Sequence, residues 1–224
     1  MREGRLLSNR ERDFWFISRE SMMMSNTPRD EGVIKYQAIH QDSGPPVHIL
    51  LNQLDEVRTK LFDLGLVGVY PDGVGYGNVS IRHETGCIIS GTATGCTRVL
   101  GAGGYCCVRS FDLQNNKVIT AGPVKASSES MTHCAIYQAN PLMQCVLHIH
   151  NRELWERLLS QGYDSTSVDI PYGTPQMALS MATLACTKTE PSDLIVMAGH
   201  EEGIVAYGQT IFCAFDQIKT ILAN

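Results

Sequence analysis

Residues 126–133 read ASSESMTH, and residues 146–151 read VLHIHN. The first stretch places the carboxylate of Glu129 at the start of a predicted helix, and the second places two imidazoles at the end of a predicted strand. Side chains at positions i and i+2 of a strand point to the same face, about 6.5–7 Å apart along the backbone. His148 and His150 could therefore close on one ion at about 2.0–2.1 Å per nitrogen. A catalytic metal site has three protein ligands and an open position, so a third ligand is expected elsewhere.

The third candidate ligand is His200, which falls in a glycine-flanked turn between predicted strands at residues 194–197 and 203–207. A turn of this kind can aim a side chain into a site. Ordinary alternatives stay open for all three residues. His148 and His150 can be one core and one surface histidine of a plain strand, and His200 can be a simple turn histidine.

The residues around Glu129 admit a structural and a chemical interpretation. A carboxylate in a first helical turn stabilises the helix through its dipole or a cap. The chemical alternative is a base near the metal that takes a proton from a carbon acid. Ser127 and Ser128 are predicted N-caps, and their hydroxyls can also help a helix start to bind an anion. His133, on the same helix face as Glu129, is interpreted as a packed or subunit-contact residue.

Two glycine-rich turns could complete the anion site. They read GYGNVS at residues 75–80 and SGTATG at residues 90–95. Glycine lets the backbone approach a phosphate closely, and serine and threonine add hydroxyl donors. The candidate residues are Asn78, Ser90 and Thr92, although each turn on its own can be no more than a turn.

The composition limits the class of protein. The 224 residues suffice for one ordinary domain. A formal net charge of -5 argues against nucleic acid or an anionic membrane as the main partner, because both select a basic surface. The sequence has neither an apolar run that could span a bilayer nor a signal-peptide pattern. The eight cysteines include no C-x-x-C pair, and most lie inside apolar segments, which predicts buried free thiols and a cytoplasmic location.

The chain is predicted to consist of a mobile N-terminal extension at residues 1–35 and one domain at residues 36–224. Met24 is a hypothetical functional start, because SNTP after it is typical of a fresh N-terminus. Periodicity predicts helices at residues 50–64, 128–139, 174–187 and 209–222. Strands are predicted at residues 78–82, 87–90, 105–110, 118–121, 144–148, 194–197 and 203–207. The pattern indicates an α/β protein, a three-layer α/β/α domain with a mainly antiparallel central sheet.

The motifs together resemble the class II aldolase/adducin head domain family. The resemblance rests on the order and spacing of GNVS at residues 77–80, SSE at residues 127–129 with His133, and HIH at residues 148–150. It runs from about Leu50 to Asn224. It implies an α/β/α fold, a divalent metal that is usually zinc, and a homotetramer with active sites at subunit interfaces. It also implies a small sugar phosphate as substrate, which aldolases cleave beside a carbonyl and a related dehydratase dehydrates.

The resemblance also implies roles for individual residues. His148 and His150 become metal ligands, and Glu129 becomes a base that can also contact the metal. The residues similar to the family's phosphate-binding positions are Asn78, Ser127 and Ser128.

The third ligand departs from the family pattern, in which a histidine stands directly before a glycine in a late turn. Here residues 200–203 read HEEG. Either His200 binds the metal after an insertion of two residues, or Glu202 occupies that place. His200 is favoured, because an imidazole matches the donor preference of zinc.

Two further departures bear on the substrate and on proton transfer. The family's second phosphate loop usually reads Thr-Pro-Ser-Gly, whereas residues 90–95 are longer and lack proline, which leaves phosphorylation of the substrate open. Family aldolases also use tyrosines as acids, one of them from a neighbouring subunit's tail, and this chain offers no tyrosine after its last predicted helix. Tyr172 is a candidate proton donor on a middle segment, with a buried loop anchor as the favoured alternative.

Three functions follow in order of preference. The first is a metal-dependent lyase that cleaves a C–C bond of a small hydroxy-carbonyl compound through an enediolate, with zinc as the favoured cofactor. The second is a dehydratase or decarboxylase on the same scaffold. The third is a non-catalytic, adducin-like assembly module, although such a module has no reason to keep both strand histidines and Glu129.

Overall fold

The computed structural model describes residues 32–223. Residues 1–31, which include most of the predicted extension and the hypothetical start at Met24, lie outside the described residues, as does residue 224. The division into an extension and one domain therefore stays a prediction.

The described residues form five α-helices, ten strands and one short 3-10 turn at Ala102–Gly104. The helices are α1 (Leu51–Asp63), α2 (Ser130–Ala139), α3 (Arg152–Ser160), α4 (Pro175–Ala185) and α5 (Ile211–Ala223). The strands are β1 (Gln37–Asp42), β2 (Gly68–Val69), β3 (Gly75–Tyr76), β4 (Asn78–His83), β5 (Gly86–Ser90), β6 (Tyr105–Asp112), β7 (Lys117–Gly122), β8 (Cys145–His150), β9 (Ser192–Val196) and β10 (Gly203–Gly208).

Eight strands form one sheet in the order β1-β7-β6-β5-β4-β8-β10-β9, and β2 pairs separately with β3. In the large sheet β1 pairs with β7 in parallel, while the other six neighbouring pairs run antiparallel. The predicted α/β fold is confirmed, but the sheet is mixed: the prediction of a mainly antiparallel sheet did not include the parallel β1–β7 pair. The parallel pair escaped prediction because β1 is an exposed edge strand, QAIHQD, without the alternation of apolar and polar residues that marks a half-buried strand.

The sheet lies between two layers of helices. One apolar cluster joins α1, α3 and α5 to one face of the sheet, and a second joins α2 and α4 to the opposite face. The alternation is visible along β8, where Leu147 belongs to the first cluster and Val146 to the second. Because strand side chains alternate between faces, His148 and His150 share the face of Val146. They therefore point toward the layer that contains α2.

Two helix boundaries agree with their sequence signals. Gly65 follows α1 with a φ of 69°, a left-handed conformation that suits glycine after a helix. Thr174 caps α4, because its hydroxyl accepts a hydrogen bond from the Met177 N–H at 3.2 Å, and Pro175 is the first helical residue.

The start of α2 differs from the prediction that Ser127 or Ser128 is its N-cap. The N-cap is Glu129. Residues 127–130 first form a turn, which the Ser130 N–H closes by donating to the Ser127 carbonyl at 3.1 Å. The Ser127 hydroxyl accepts from the Glu129 N–H at 3.3 Å. The helix therefore begins beyond both serines.

The predictions about the cysteines and about membrane-spanning segments can be compared with the structure. All eight cysteines are free, as predicted, although Cys96 and Cys186 are exposed and not buried. None of the helices in residues 32–223 combines the length and the apolar character that crossing a bilayer requires.

Candidate metal centre

The structure brings together the three histidines that were predicted as ligands. His148 and His150 lie at the end of β8, and His200 lies in the turn between β9 and β10. Their candidate ligand atoms all lie within 4.8 Å of one another. The three side chains are 0%, 2% and 4% exposed, respectively. The neighbouring strands account for this convergence, since β10 pairs directly with β8 and places Gly203 opposite His150.

The cluster fits a metal ion on its own chemistry. Nε2 of His148 is buried and has no hydrogen-bond partner among the described residues, which is costly for a polar atom inside a protein. Burial, with the charges of His150 and His200, lowers the pKa of His148 well below its ordinary value. The imidazole is therefore neutral at physiological pH and offers a lone pair. Three imidazoles are a donor set that Zn²⁺ and related divalent ions accept.

Gly203 leaves the space in which the rings converge. A Cβ added there would lie 3.1 Å from Nδ1 of His200 and 3.2 Å from Nε2 of His148. Glycine therefore gives the two imidazoles room at this position, where a Cβ would press on both rings. The HEEG sequence thus keeps the glycine beside the cluster, although two residues separate it from His200.

Glu202, the alternative third ligand, is not part of the histidine cluster. Its carboxylate accepts a hydrogen bond from the Tyr70 hydroxyl at 2.6 Å. Arg152 lies on the other side, with Nη2 3.3 Å from Oε1 of Glu202. Of the two alternatives, the structure places His200 with the strand histidines.

Tyr172 packs against the cluster as a buried side chain. Its ring stacks on that of His200 with centroids 4.5 Å apart, and the Lys35 ammonium lies 3.8 Å from the centroid of the Tyr172 ring. The hydroxyl accepts a hydrogen bond from the Val33 N–H at 3.2 Å. These contacts hold His200 in place and fix the loop before α4.

A polar cavity of about 260 Å³ lies beside the histidines. It is bounded by residues 73–78, residues 91–95 and the serine pair before α2. The side-chain amide of Asn78 connects the two features, because it lines the cavity and lies 3.4 Å from Nδ1 of His148. The three segments proposed from the sequence as an anion site therefore meet in space. The predicted binding residues that line the cavity are Asn78, Thr92, Ser127 and Ser128.

Ser90, the fifth predicted binding residue, does not line this cavity. It is buried at the end of β5, and its hydroxyl accepts a hydrogen bond from the Val79 N–H at 3.1 Å. This bond ties β5 to β4, so the side chain is used in holding the sheet together.

Glu129 is 2% exposed and directly follows the two serines that line the cavity. It is not one of the three clustered side chains. His133, one turn later, is fully buried and its Nδ1 lies 2.7 Å from the Ser80 hydroxyl on β4. The interpretation of His133 as a packed residue agrees with this position.

Tyr70 and Tyr76 belong to the site but were not found from the sequence. The Tyr70 hydroxyl lies 2.9 Å from Nδ1 of His150, and the Tyr76 ring lies 5.7 Å from the His150 ring. Both residues precede β4 and flank the PDGVG turn. The sequence signal for both was their position beside a glycine-rich turn. Spacing along the chain does not reveal that Tyr70 contacts His150, about 80 residues away.

Comparison with known proteins agrees with this geometry. The sequence profile of the class II aldolase and adducin N-terminal domain family matches residues 71–222. Among solved structures, YgbL from Klebsiella pneumoniae, provisionally named an aldolase/epimerase/decarboxylase, is 22% identical, with a TM-score of 0.56 over 76% of this chain and 83% of that one. The L-fuculose-1-phosphate aldolase from Thermus thermophilus is 19% identical, with a TM-score of 0.54 over 77% and 88%. Another L-fuculose 1-phosphate aldolase is 16% identical, with a TM-score of 0.58 over 80% and 84%. A search of curated protein sequences finds no significant match.

Proposed function

The chain belongs to the class II aldolase and adducin N-terminal domain family, and on this premise we propose that it is a metal-dependent lyase. The proposed reaction is cleavage of a C–C bond beside a carbonyl in a small hydroxy-carbonyl compound. The observation that carries the proposal is the buried cluster of His148, His150 and His200 next to a polar cavity.

The three imidazoles would hold the ion, and Zn²⁺ is the proposed metal because three histidines with an open position are a known catalytic zinc arrangement. A bound ion would supply Lewis-acid polarisation of a substrate oxygen, worth several kcal/mol of charge stabilisation. Tyr172 would orient His200 through ring stacking, and we propose this anchoring role for it because its hydroxyl accepts a backbone hydrogen bond.

Glu129 is the proposed proton-transfer group. Its position supports this role, since it is buried and adjoins the cavity through Ser128. In the cleavage direction a carboxylate so placed can take the proton of the substrate hydroxyl as the C–C bond breaks and return it to the carbon of the enediolate. In the reverse direction it takes that proton from the carbon acid.

The cavity would bind the substrate through neutral polar groups. None of its lining residues, which all lie between positions 32 and 128, is charged. Hydroxyls and backbone N–H groups can bind a phosphate or a sugar hydroxyl without a cation. Its volume, about 260 Å³, suits a substrate smaller than the drug-sized ligands that fill roughly 300–1,000 Å³. A small sugar phosphate is the proposed class, bound by Asn78, Thr92, Ser127 and Ser128.

The second candidate function is dehydration or decarboxylation on the same scaffold. It is favoured by the loop at residues 90–95, which lacks the proline of the family's phosphate loop, and by Ser90, which bonds to the backbone. A non-catalytic assembly module accounts less well for a buried histidine cluster. We further propose a homotetramer in the cytoplasm, as family membership suggests.

A substrate panel tests the proposal. The Zn²⁺-loaded chain is incubated with ketose 1-phosphates, the matching unphosphorylated ketoses and 3-oxo acids. We expect the ketose phosphates to yield an aldehyde and a three-carbon ketone phosphate in equal amounts, with slower cleavage of the unphosphorylated sugars. Release of water or CO₂ without an aldehyde product would favour the second function. No turnover in any class would favour the assembly module.

A further inference from the structure

The ring of His150 is connected to a carboxylate through a tyrosine. Nδ1 of His150 lies 2.9 Å from the Tyr70 hydroxyl oxygen. The same hydroxyl donates to Oε2 of Glu202 at 2.6 Å. A hydroxyl can donate only one hydrogen bond. Here that bond goes to the carboxylate, which when ionised can only accept.

This arrangement determines the tautomer of His150. The Tyr70 O–H donates its hydrogen bond to Glu202, so the Tyr70 oxygen can only accept in its contact with His150. In that second hydrogen bond Nδ1–H of His150 must be the donor. A neutral imidazole has one N–H, so Nε2 then keeps its lone pair. We propose that Tyr70 and Glu202 are positioning residues that hold His150 in the tautomer and ring orientation required for metal binding. The inference rests on the proposed metal centre.

Local structure fixes Tyr70, the partner of His150. The Tyr70 N–H donates to the Val74 carbonyl at 2.8 Å, and the Gly73 N–H donates back to the Tyr70 carbonyl at 2.9 Å. The Tyr70 ring also packs on Tyr76, with centroids 4.4 Å apart. The hydroxyl is therefore held on a closed turn, and the phenol ring has a packing partner.

Glu202 occupies its position at a conformational cost. Its φ is 71°, a left-handed backbone conformation that is uncommon for a residue with a side chain. The Glu202 side chain is 14% exposed, whereas the Glu201 side chain is 65% exposed. The family pattern has a glycine directly after the histidine, whereas this chain has two residues between His200 and Gly203. The second of these residues places a carboxylate against the Tyr70 hydroxyl.

The test measures metal affinity in matched variants. Tyr70→Phe keeps the ring and removes the hydroxyl, and we expect Zn²⁺ affinity to fall by about 10–100-fold, as for other groups that orient metal-bound histidines. Glu202→Ala should weaken binding in the same direction, whereas Glu202→Gln, which retains an acceptor oxygen, should restore most of the affinity. Glu201→Ala is the control, since it removes the same charge from the same turn and an ion pair with Arg152.

A double-mutant cycle separates positioning from general destabilisation. If Glu202 acts through Tyr70, the Glu202→Ala change should cause little further loss of affinity in the Tyr70→Phe background. The absorption spectrum of the Co²⁺-substituted protein should also differ between the unaltered chain and Tyr70→Phe. Additive losses, or a Tyr70→Phe chain with unchanged affinity and spectrum, would overturn the inference while the metal centre stands. An unaltered chain that binds no divalent ion would instead overturn the proposed function.

Discussion

Replacing Glu129 with glutamine should lower kcat by about 10²–10⁴-fold, the range that a positioned acid–base group contributes. Glutamine keeps the shape of the side chain at the start of α2 but cannot take a proton. Because the three imidazoles are unchanged, the variant should still bind its metal. The measurement is steady-state turnover of the substrate identified from the panel, with metal content determined on the same preparation.

Glu153→Gln is the matched control for this prediction. Glu153 is likewise a glutamate near a helix start, in the first turn of α3, but it is exposed. The control should turn over at the rate of the unaltered chain. A Glu129→Gln variant within about threefold of the unaltered chain would leave less than 1 kcal/mol of transition-state stabilisation to this carboxylate and would remove it from the mechanism.

The metal-free chain should lose stability in acid, in part through His133. Complete burial lowers the pKa of this imidazole to about 3, whereas an unfolded histidine has a pKa of about 6.5. Between these values the unfolded chain binds the extra proton, so the free energy of unfolding falls as the pH decreases. At about 1.36 kcal/mol per pH unit, His133 alone should account for a loss of roughly 2–3 kcal/mol between pH 6.5 and pH 4.5.

Urea unfolding of the chelator-treated chain at several pH values measures this loss. His133→Gln removes the titrating group, while Tyr137 remains beside the Ser80 hydroxyl at 2.8 Å. In this variant the free energy of unfolding should fall less steeply as the pH decreases, by the amount that one titrating histidine contributes. This holds even if the variant is less stable at pH 7. If the free energy of unfolding fell equally steeply with decreasing pH in His133→Gln and in the unaltered chain, the prediction would be contradicted.

The histidine cluster was predictable because its sequence signals are local. The two-residue spacing of His148 and His150 fixes their common face once β8 is a strand, and the glycines around His200 indicate a turn that can aim a side chain. What spacing does not provide is the pairing of β10 with β8, which brings Gly203 opposite His150. The sequence therefore left His200 and Glu202 as alternative third ligands, and His200 was favoured only because an imidazole matches the donor preference of zinc.

Other features depend on contacts that local pattern does not record. Tyr70 reaches His150 across the fold, and Ser80 meets His133 between a strand and a helix. The sequence does not show that the Ser90 hydroxyl accepts from the Val79 N–H, because a hydroxyl beside a glycine-rich turn has the same sequence signature whether it faces a ligand or a backbone N–H. A substrate-binding role for Ser90 stays a prediction.

Helix α3 shows a signal that was present but unused. Asn151 caps it by accepting a hydrogen bond from the Leu154 N–H at 2.9 Å. Leu154 and Leu158, four residues apart, are its buried residues. An N-cap residue followed by this spacing predicts a helix. β1 offered no such pattern, because an exposed edge strand has no buried face to impose alternation.

Metal content of the purified chain tests the central claim most directly. We predict about one equivalent of Zn²⁺ per chain by elemental analysis, in keeping with a single three-histidine site. His148→Ala should lose it, and His83→Ala, which changes a histidine outside the cluster, should retain it. A folded chain that binds no divalent ion, even with Zn²⁺ added in excess, or a His148→Ala variant that keeps a full equivalent, would contradict the account.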